Sequence, residues 1–170
     1  AIDSVLSSSV DLELLVRDDA SPDGTWRVID SYQDERLHKS RNETNLGAHT
    51  TLNALLDQAR GEYLTILNSD DRFLPGRLEQ CVAMVRGGDV DLVGTDVRLI
   101  DADGEVVTDH WWVDAFGALK SVWHETHDWV ATLLAGNVFM TTSNFFFSRE
   151  LWFKVRPYSE HRYVHDYDFL

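Results

Sequence analysis

Two apolar runs, each closing on a pair of aspartates, set the limits on how this chain can fold. The first spans Leu12 to Arg17 and ends in Asp18-Asp19; the second spans Tyr63 to Ser69 and ends in Asp70-Asp71. Short aliphatic runs bounded by polar residues read as buried strands of a parallel sheet. In open α/β sheets, ligands sit outside the carboxyl ends of such strands. Four carboxylates gathered there repel one another unless a positive group shares the site. A hard divalent cation, arriving with an anionic ligand such as a diphosphate, meets that need.

The residues around the runs alternate in period. An opening helix carries Ile2, Val5 and Leu6, and helices are expected at about 25–35 and 48–60, the latter with Ala48, Leu52, Leu55, Leu56 and Ala59 on one face. A short strand is expected near 37–41, and Pro75 is expected in the first turn of a helix that buries Leu78, Cys81, Val82 and Val85. The order up to Gly88 is thus α-β-α-β-α-β-α, which predicts an α/β fold with a mostly parallel sheet and helices on both faces. From Val90 the texture changes. A strand at Val90 to Val93 is followed by a hairpin signal around Asp101-Ala102-Asp103-Gly104. Thr142 to Phe147 reads as a strand and Arg149 to Val155 as a helix, while 110–140, rich in Trp and His, gives no clear pattern. The four tryptophans Trp111, Trp112, Trp123 and Trp129 are expected mostly in the core, with one or two free to stack on the ring of a ligand.

Composition narrows the chemistry. The 170 residues suit one domain with a sizeable core, and 29 acidic against 15 basic residues give a formal charge of -14. No basic stripe exists for nucleic acid or an anionic membrane. Cys81 is the single cysteine, so an internal disulfide and a thiolate metal cage are both excluded. His124-Glu125-Thr126-His127 lacks the zinc signature. No run reaches the roughly 20 apolar residues of a spanning helix, so the expectation is a cytoplasmic protein, at most at the cytoplasmic face of a membrane. Ala1 lies inside an apparent helix and Leu170 follows the start of another, so the chain reads as a piece of a longer protein.

Three ordered motifs carry a family resemblance. Leu14-Leu15-Val16-Arg17-Asp18-Asp19-Ala20-Ser21-Pro22-Asp23-Gly24-Thr25 is the first, Gly61-Glu62-Tyr63 through Asp70-Asp71 the second, and His165-Asp166-Tyr167-Asp168-Phe169-Leu170 the third, with Asn45-Leu46-Gly47 and Asn53 between the first two. Together they resemble the N-terminal catalytic region of family-2 glycosyltransferases, which have the GT-A fold. Two positions depart from that pattern: Asn68 stands where many members place Asp, and His165 where many place Glu. The family's first strand and nucleotide loop would precede Ala1.

The resemblance implies one GT-A-type domain over 1–170, with a nucleotide-binding half at 1–88 and a smaller acceptor-side half at 89–170. It implies an inverting transfer from a UDP- or dTDP-sugar to a saccharide or lipid-linked acceptor in polysaccharide or cell-envelope synthesis, assisted by Mg²⁺ or Mn²⁺. By that resemblance Asp19 hydrogen-bonds the base, with Asp18 and Asn45 beside the nucleotide. Asp70 faces the ribose, Asp71 coordinates the metal, and Asp166 is the general base. Bland roles stand beside these: Asp18, Asp19, Asp70 and Asp71 also suit turns and helix caps, and Asp166 a helix start. A sugar-phosphate nucleotidylyltransferase and a non-catalytic carbohydrate-binding domain derived from a transferase remain the alternatives.

Overall fold

A computed structural model of the chain describes residues 1–88, 90–159 and 169–170. The order begins with α1 (Ile2–Leu6), β1 (Leu14–Asp18), α2 (Thr25–Ser31), β2 (Leu37–Arg41), α3 (Ala48–Gln58), β3 (Tyr63–Thr65) and α4 (Arg77–Val85). It continues with β4 (Leu92–Val93), α5 (Trp111–Thr126), α6 (Trp129–Ala135), a 3-10 turn at Thr142–Asn144, β5 (Phe146–Ser148) and α7 (Arg149–Val155). The α/β alternation of the first half is thus present.

β1 and β2 pair in parallel, Leu14 opposite Leu37 through Asp18 opposite Arg41. The second sheet has the order β3-β5-β4, and β5 runs antiparallel to both neighbours. The expected chain of parallel strands is therefore realised as one parallel pair beside an antiparallel triplet. The hairpin signal is met by a bridge between Ile100 and Val106, with Gly104 at φ 83 closing the turn.

β5 explains how the layers stack. Phe145 and Phe147 point into one core with Leu56, Leu64, Ile66 and Trp152, whereas Phe146 enters another with Val5, Phe73, Leu78, Cys81 and Val93. A strand apolar on both sides is buried on both faces. Helices α3 and α7 cover the first face, and α1 and α4 the second.

Several expectations give way to packing. Pro75 lies in a turn, and the helix starts at Arg77 because Gly76 takes a left-handed φ of 81 and breaks the backbone between them. On α3, Ala48 is exposed and Thr51 is buried instead, since its hydroxyl serves a polar network described below. None of the four tryptophans expected in the core is buried, and Trp111 is 71% exposed. They decorate the hairpin of α5 and α6, where Trp123 stacks on Trp129 at 4.0 Å while Phe116 and Thr132 face inward. Trp152 fills the core in their place, its indole N–H bonded to Asp57 at 3.0 Å.

Candidate functional site

The first acidic doublet is committed inside the protein. Asp18 ends β1 at 3% exposure. Its Oδ1 accepts from the Ser21 N–H at 3.1 Å, and Arg41 Nε lies 2.8 Å from Oδ2. That second contact is an ion pair by distance whose N–H is not aimed for a hydrogen bond. A carboxylate so buried needs its cation close by.

Asp19 organises a different loop. Its Oδ1 accepts from Asn42 Nδ2 at 2.7 Å and the Leu46 N–H at 2.9 Å, and its Oδ2 accepts from the Gly47 N–H at 2.9 Å. The Thr51 hydroxyl adds a fourth interaction. A carboxylate offers about four lone-pair sites, so this one is filled from within. Burial pushes its acidity down, but these donors outweigh it and hold the carboxyl below its usual range. Gly47 takes φ 88, open to glycine alone at low cost, which lets successive backbone N–H groups turn toward Asp19. Asn45 is exposed, and its Oδ1 also accepts from the Gly47 N–H at 3.2 Å. Asn42, the first residue of a glycosylation-like triplet, spends its amide on Asp19 and Thr51.

The second doublet is built the opposite way. Asp70 is exposed with no described side chain donating to it, and no described Lys or Arg pairs with Asp70 or Asp71. Asp71 is held by Asn68: its N–H donates to the Asn68 carbonyl at 3.1 Å, and Asn68 Nδ2 lies 3.5 Å from its Oδ2. Asn68 is anchored in turn. Its N–H donates to Ser143 Oγ at 2.8 Å, its Nδ2 to Thr141 Oγ1 at 3.1 Å, and its Oδ1 accepts from Thr142 Oγ1 at 3.2 Å.

Beneath this layer Arg77 is largely desolvated, which lowers its pKa. It donates to Thr95 Oγ1 and the Asn144 carbonyl and lies over the Phe73 ring at 4.3 Å. Asn144 is 4% exposed and also binds Thr95 through both ends of its amide. These neutral polar residues escape sequence reading, because Thr, Ser and Asn near turns carry no chemical signature until their partners are known. Asn68 alone left a trace, as a departure from the family pattern.

Asp166 lies outside the described residues. Among the described residues no hydrogen bond joins the Asp19 loop to the Asp71 loop, and no group of three His, Cys, Asp or Glu is placed to hold a metal. Asn53 exchanges hydrogen bonds of 2.9 and 3.0 Å with the Tyr158 backbone.

The model of glycosyl transferase family 2 matches residues 1–152. The chain belongs to that family. Among its relatives is the putative glycosyltransferase EpsE of Bacillus subtilis (strain 168), 36% identical over 61% of this chain and 39% of that protein. The putative teichuronic acid biosynthesis glycosyltransferase TuaG of the same organism is 33% identical over 54% of this chain and 37% of its own length. WfaP of Escherichia coli, named a UDP-Glc:alpha-D-GlcNAc-diphosphoundecaprenol beta-1,3-glucosyltransferase, is 32% identical over 45% of this chain and 31% of that protein. Each match thus spans well under half of the relative. The crystal structure of S. aureus TarS superposes with a TM-score of 0.68 at 21% identity, covering 98% of this chain and 48% of that one. That likeness places the family-2 chain on a GT-A-like α/β fold.

Proposed function

We propose that this chain forms the donor side of an inverting glycosyltransferase. The transferase moves a sugar from a nucleotide diphosphate sugar, UDP- or dTDP-linked, to a hydroxyl of a saccharide carried on a lipid diphosphate. The observation that carries the reading is the Asp70-Asp71 loop, an acidic pair beyond the end of a buried strand with no described cation to neutralise it. Oxygen donors with free lone pairs suit Mg²⁺ or Mn²⁺, which bind one or two carboxylates and complete their shell with phosphate oxygens and water. Asp71 would hold the cation, with Asp70 toward the ribose. The bound cation supplies charge stabilisation to the departing nucleotide diphosphate.

Asp19 acts through its loop in this reading. It holds the backbone of Leu46 and Gly47, beside Asn45 in a loop that would line the path of the nucleotide, and accepting directly from a base imide N–H requires one internal donor to leave. Asp18 and Arg41 brace the start of the same wall. Asp166, assigned by family resemblance, takes the proton of the acceptor hydroxyl. Relatives named for diphosphoundecaprenol substrates support a lipid-linked acceptor, and such an acceptor suits a reaction at the cytoplasmic face of a membrane. No helix among the described residues is long and apolar enough to cross one.

Calorimetric titration of the full-length protein with UDP and with dTDP, with and without Mn²⁺, tests this reading. The expected result is nucleotide binding strengthened by the metal in the natural protein, with that dependence lost in Asp71→Asn. Unchanged manganese dependence in Asp71→Asn moves the metal role to another residue. Absence of sugar-nucleotide turnover with every donor, binding of saccharide notwithstanding, replaces the enzyme with a carbohydrate-binding domain.

A further inference from the structure

We propose that Asn68 is a positioning residue for Asp71, and that its neutral amide makes cation binding at this loop depend on the nucleotide. The inference rests on the reading of Asp71 as the cation ligand.

Both ends of the Asn68 amide are in use. Its oxygen accepts from the Thr142 hydroxyl at 3.2 Å and its nitrogen donates to Thr141 Oγ1 at 3.1 Å, while the second N–H faces Asp71 Oδ2 at 3.5 Å, an acceptor-only carboxylate that calls for the nitrogen on that side. The backbone of the same residue holds Asp71 through a turn at 3.1 Å and grips Ser143 at 2.8 Å. Asp71 is therefore tethered twice to one residue, and that residue is tethered three times to the 141–143 segment.

The segment itself is held under strain. Met140 precedes it at φ 67, a left-handed conformation that is unfavourable for a residue with a side chain and persists only where its surroundings impose it. Asn137 Oδ1 imposes it by accepting from the N–H groups of Phe139 and Met140 at 3.0 and 3.2 Å. The Thr141 hydroxyl is thereby presented to Asn68.

A carboxylate at position 68 has no proton for Thr141 or Asp71, and it places a further negative charge against Asp71 Oδ2. It also offers a cation an additional anionic ligand. With the amide, the loop alone attracts a divalent cation weakly, and the diphosphate supplies the missing charge.

Mn²⁺ binding to the full-length protein, read from the loss of the free-ion electron paramagnetic resonance signal, separates these roles without turnover. In the natural protein, UDP is expected to tighten Mn²⁺ binding at least tenfold. Asn68→Asp is expected to tighten binding of Mn²⁺ alone by about tenfold or more, as an added anionic ligand does. Thr141→Val, which removes the anchor, is expected to weaken Mn²⁺ binding in the presence of UDP by roughly 10- to 100-fold, the usual cost of losing a ligand's support. Opposite directions in the two variants are the signature, because a role in folding alone weakens binding in both. Equal Mn²⁺ affinity in Asn68→Asp and the natural protein overturns the inference, as does weakening in both variants. A natural protein that binds no Mn²⁺ even with UDP instead sinks the earlier assignment of Asp71.

Discussion

Arg60 closes on Glu13 with three hydrogen bonds: its backbone N–H at 2.6 Å to Oε1, and Nε and Nη2 at 3.0 and 2.8 Å to Oε2. Glu13 immediately precedes β1, and Arg60 lies three residues before β3. The two strands are not hydrogen-bonded to each other, so this pair ties the amino ends of the two sheets. β1 ends on Asp18 itself, and β3 is followed five residues on by Asp70.

Glu13→Gln should loosen that tie. Burial acts to raise the Glu13 pKa, but the Arg60 hydrogen bonds and charge outweigh it and hold the carboxyl below its usual range. Arg60 is 76% exposed, so solvent screens the pair and the expected loss is about 1 kcal/mol. Urea denaturation of the variant, with Arg60→Ala and the double variant, checks the coupling.

Acid should act through Glu79. The Ser8 hydroxyl and the Ser9 N–H, at 2.7 and 2.8 Å, hold its carboxyl down to about 2 and tie the end of α1 to α4. A carboxyl depressed in the folded state stabilises it above the ordinary glutamate range, about 4.3. That contribution fades as pH falls toward 2. Melting curves of Glu79→Gln and the natural protein should therefore differ at pH 6 and converge near pH 2. A constant difference across the range contradicts this.

Asp19→Asn should release the 42–47 loop while leaving the cores intact. An amide in place of the carboxylate turns an N–H₂ group toward donors that now lack acceptors. Each charge-assisted hydrogen bond lost is worth about 1.5–3 kcal/mol, so the Leu46 and Gly47 amides should exchange with solvent at least about tenfold faster. Unchanged protection of those amides shows that the loop is held by other means.

Gly94→Ala should strain the joint between β4 and the polar layer. A Cβ there falls 2.5 and 2.6 Å from Phe139 Cε1 and Cδ1, and Phe139 is 8% exposed against Phe145 and Trp129. Overpacking of this kind costs typically about 1–3 kcal/mol. Thermal denaturation reads it directly.

Asp166→Asn is expected to keep donor and metal binding yet lose sugar transfer by roughly a hundredfold or more, the scale for a general base. The loss should appear in kcat at saturating donor. Near-normal transfer turns attention to Asp168 or His165.

The sequence by itself determined the elements that rest on local pattern. The apolar runs, the α3 and α4 stripes with Cys81 buried, and the Asp-Ala-Asp-Gly turn need only the near neighbours of each residue, and those are written in order along the chain. Phe145-Phe146-Phe147 marked a strand for the same reason, although β5 begins at Phe146 and Thr142–Asn144 form a 3-10 turn instead. Only the tertiary structure decided which strands meet and in what direction. β3 pairs antiparallel with β5, some eighty residues on, and period-two patterning is identical for either direction of a neighbour. It also decided the character of the two doublets, which look alike in sequence. Asp18 is engaged by Ser21 and paired with Arg41, and Asp19 accepts from Asn42, Leu46 and Gly47, whereas Asp70 and Asp71 stand without a described counter-ion. A carboxylate's charge is given by its residue type, but the donors that consume it arrive from parts of the chain that only folding brings close.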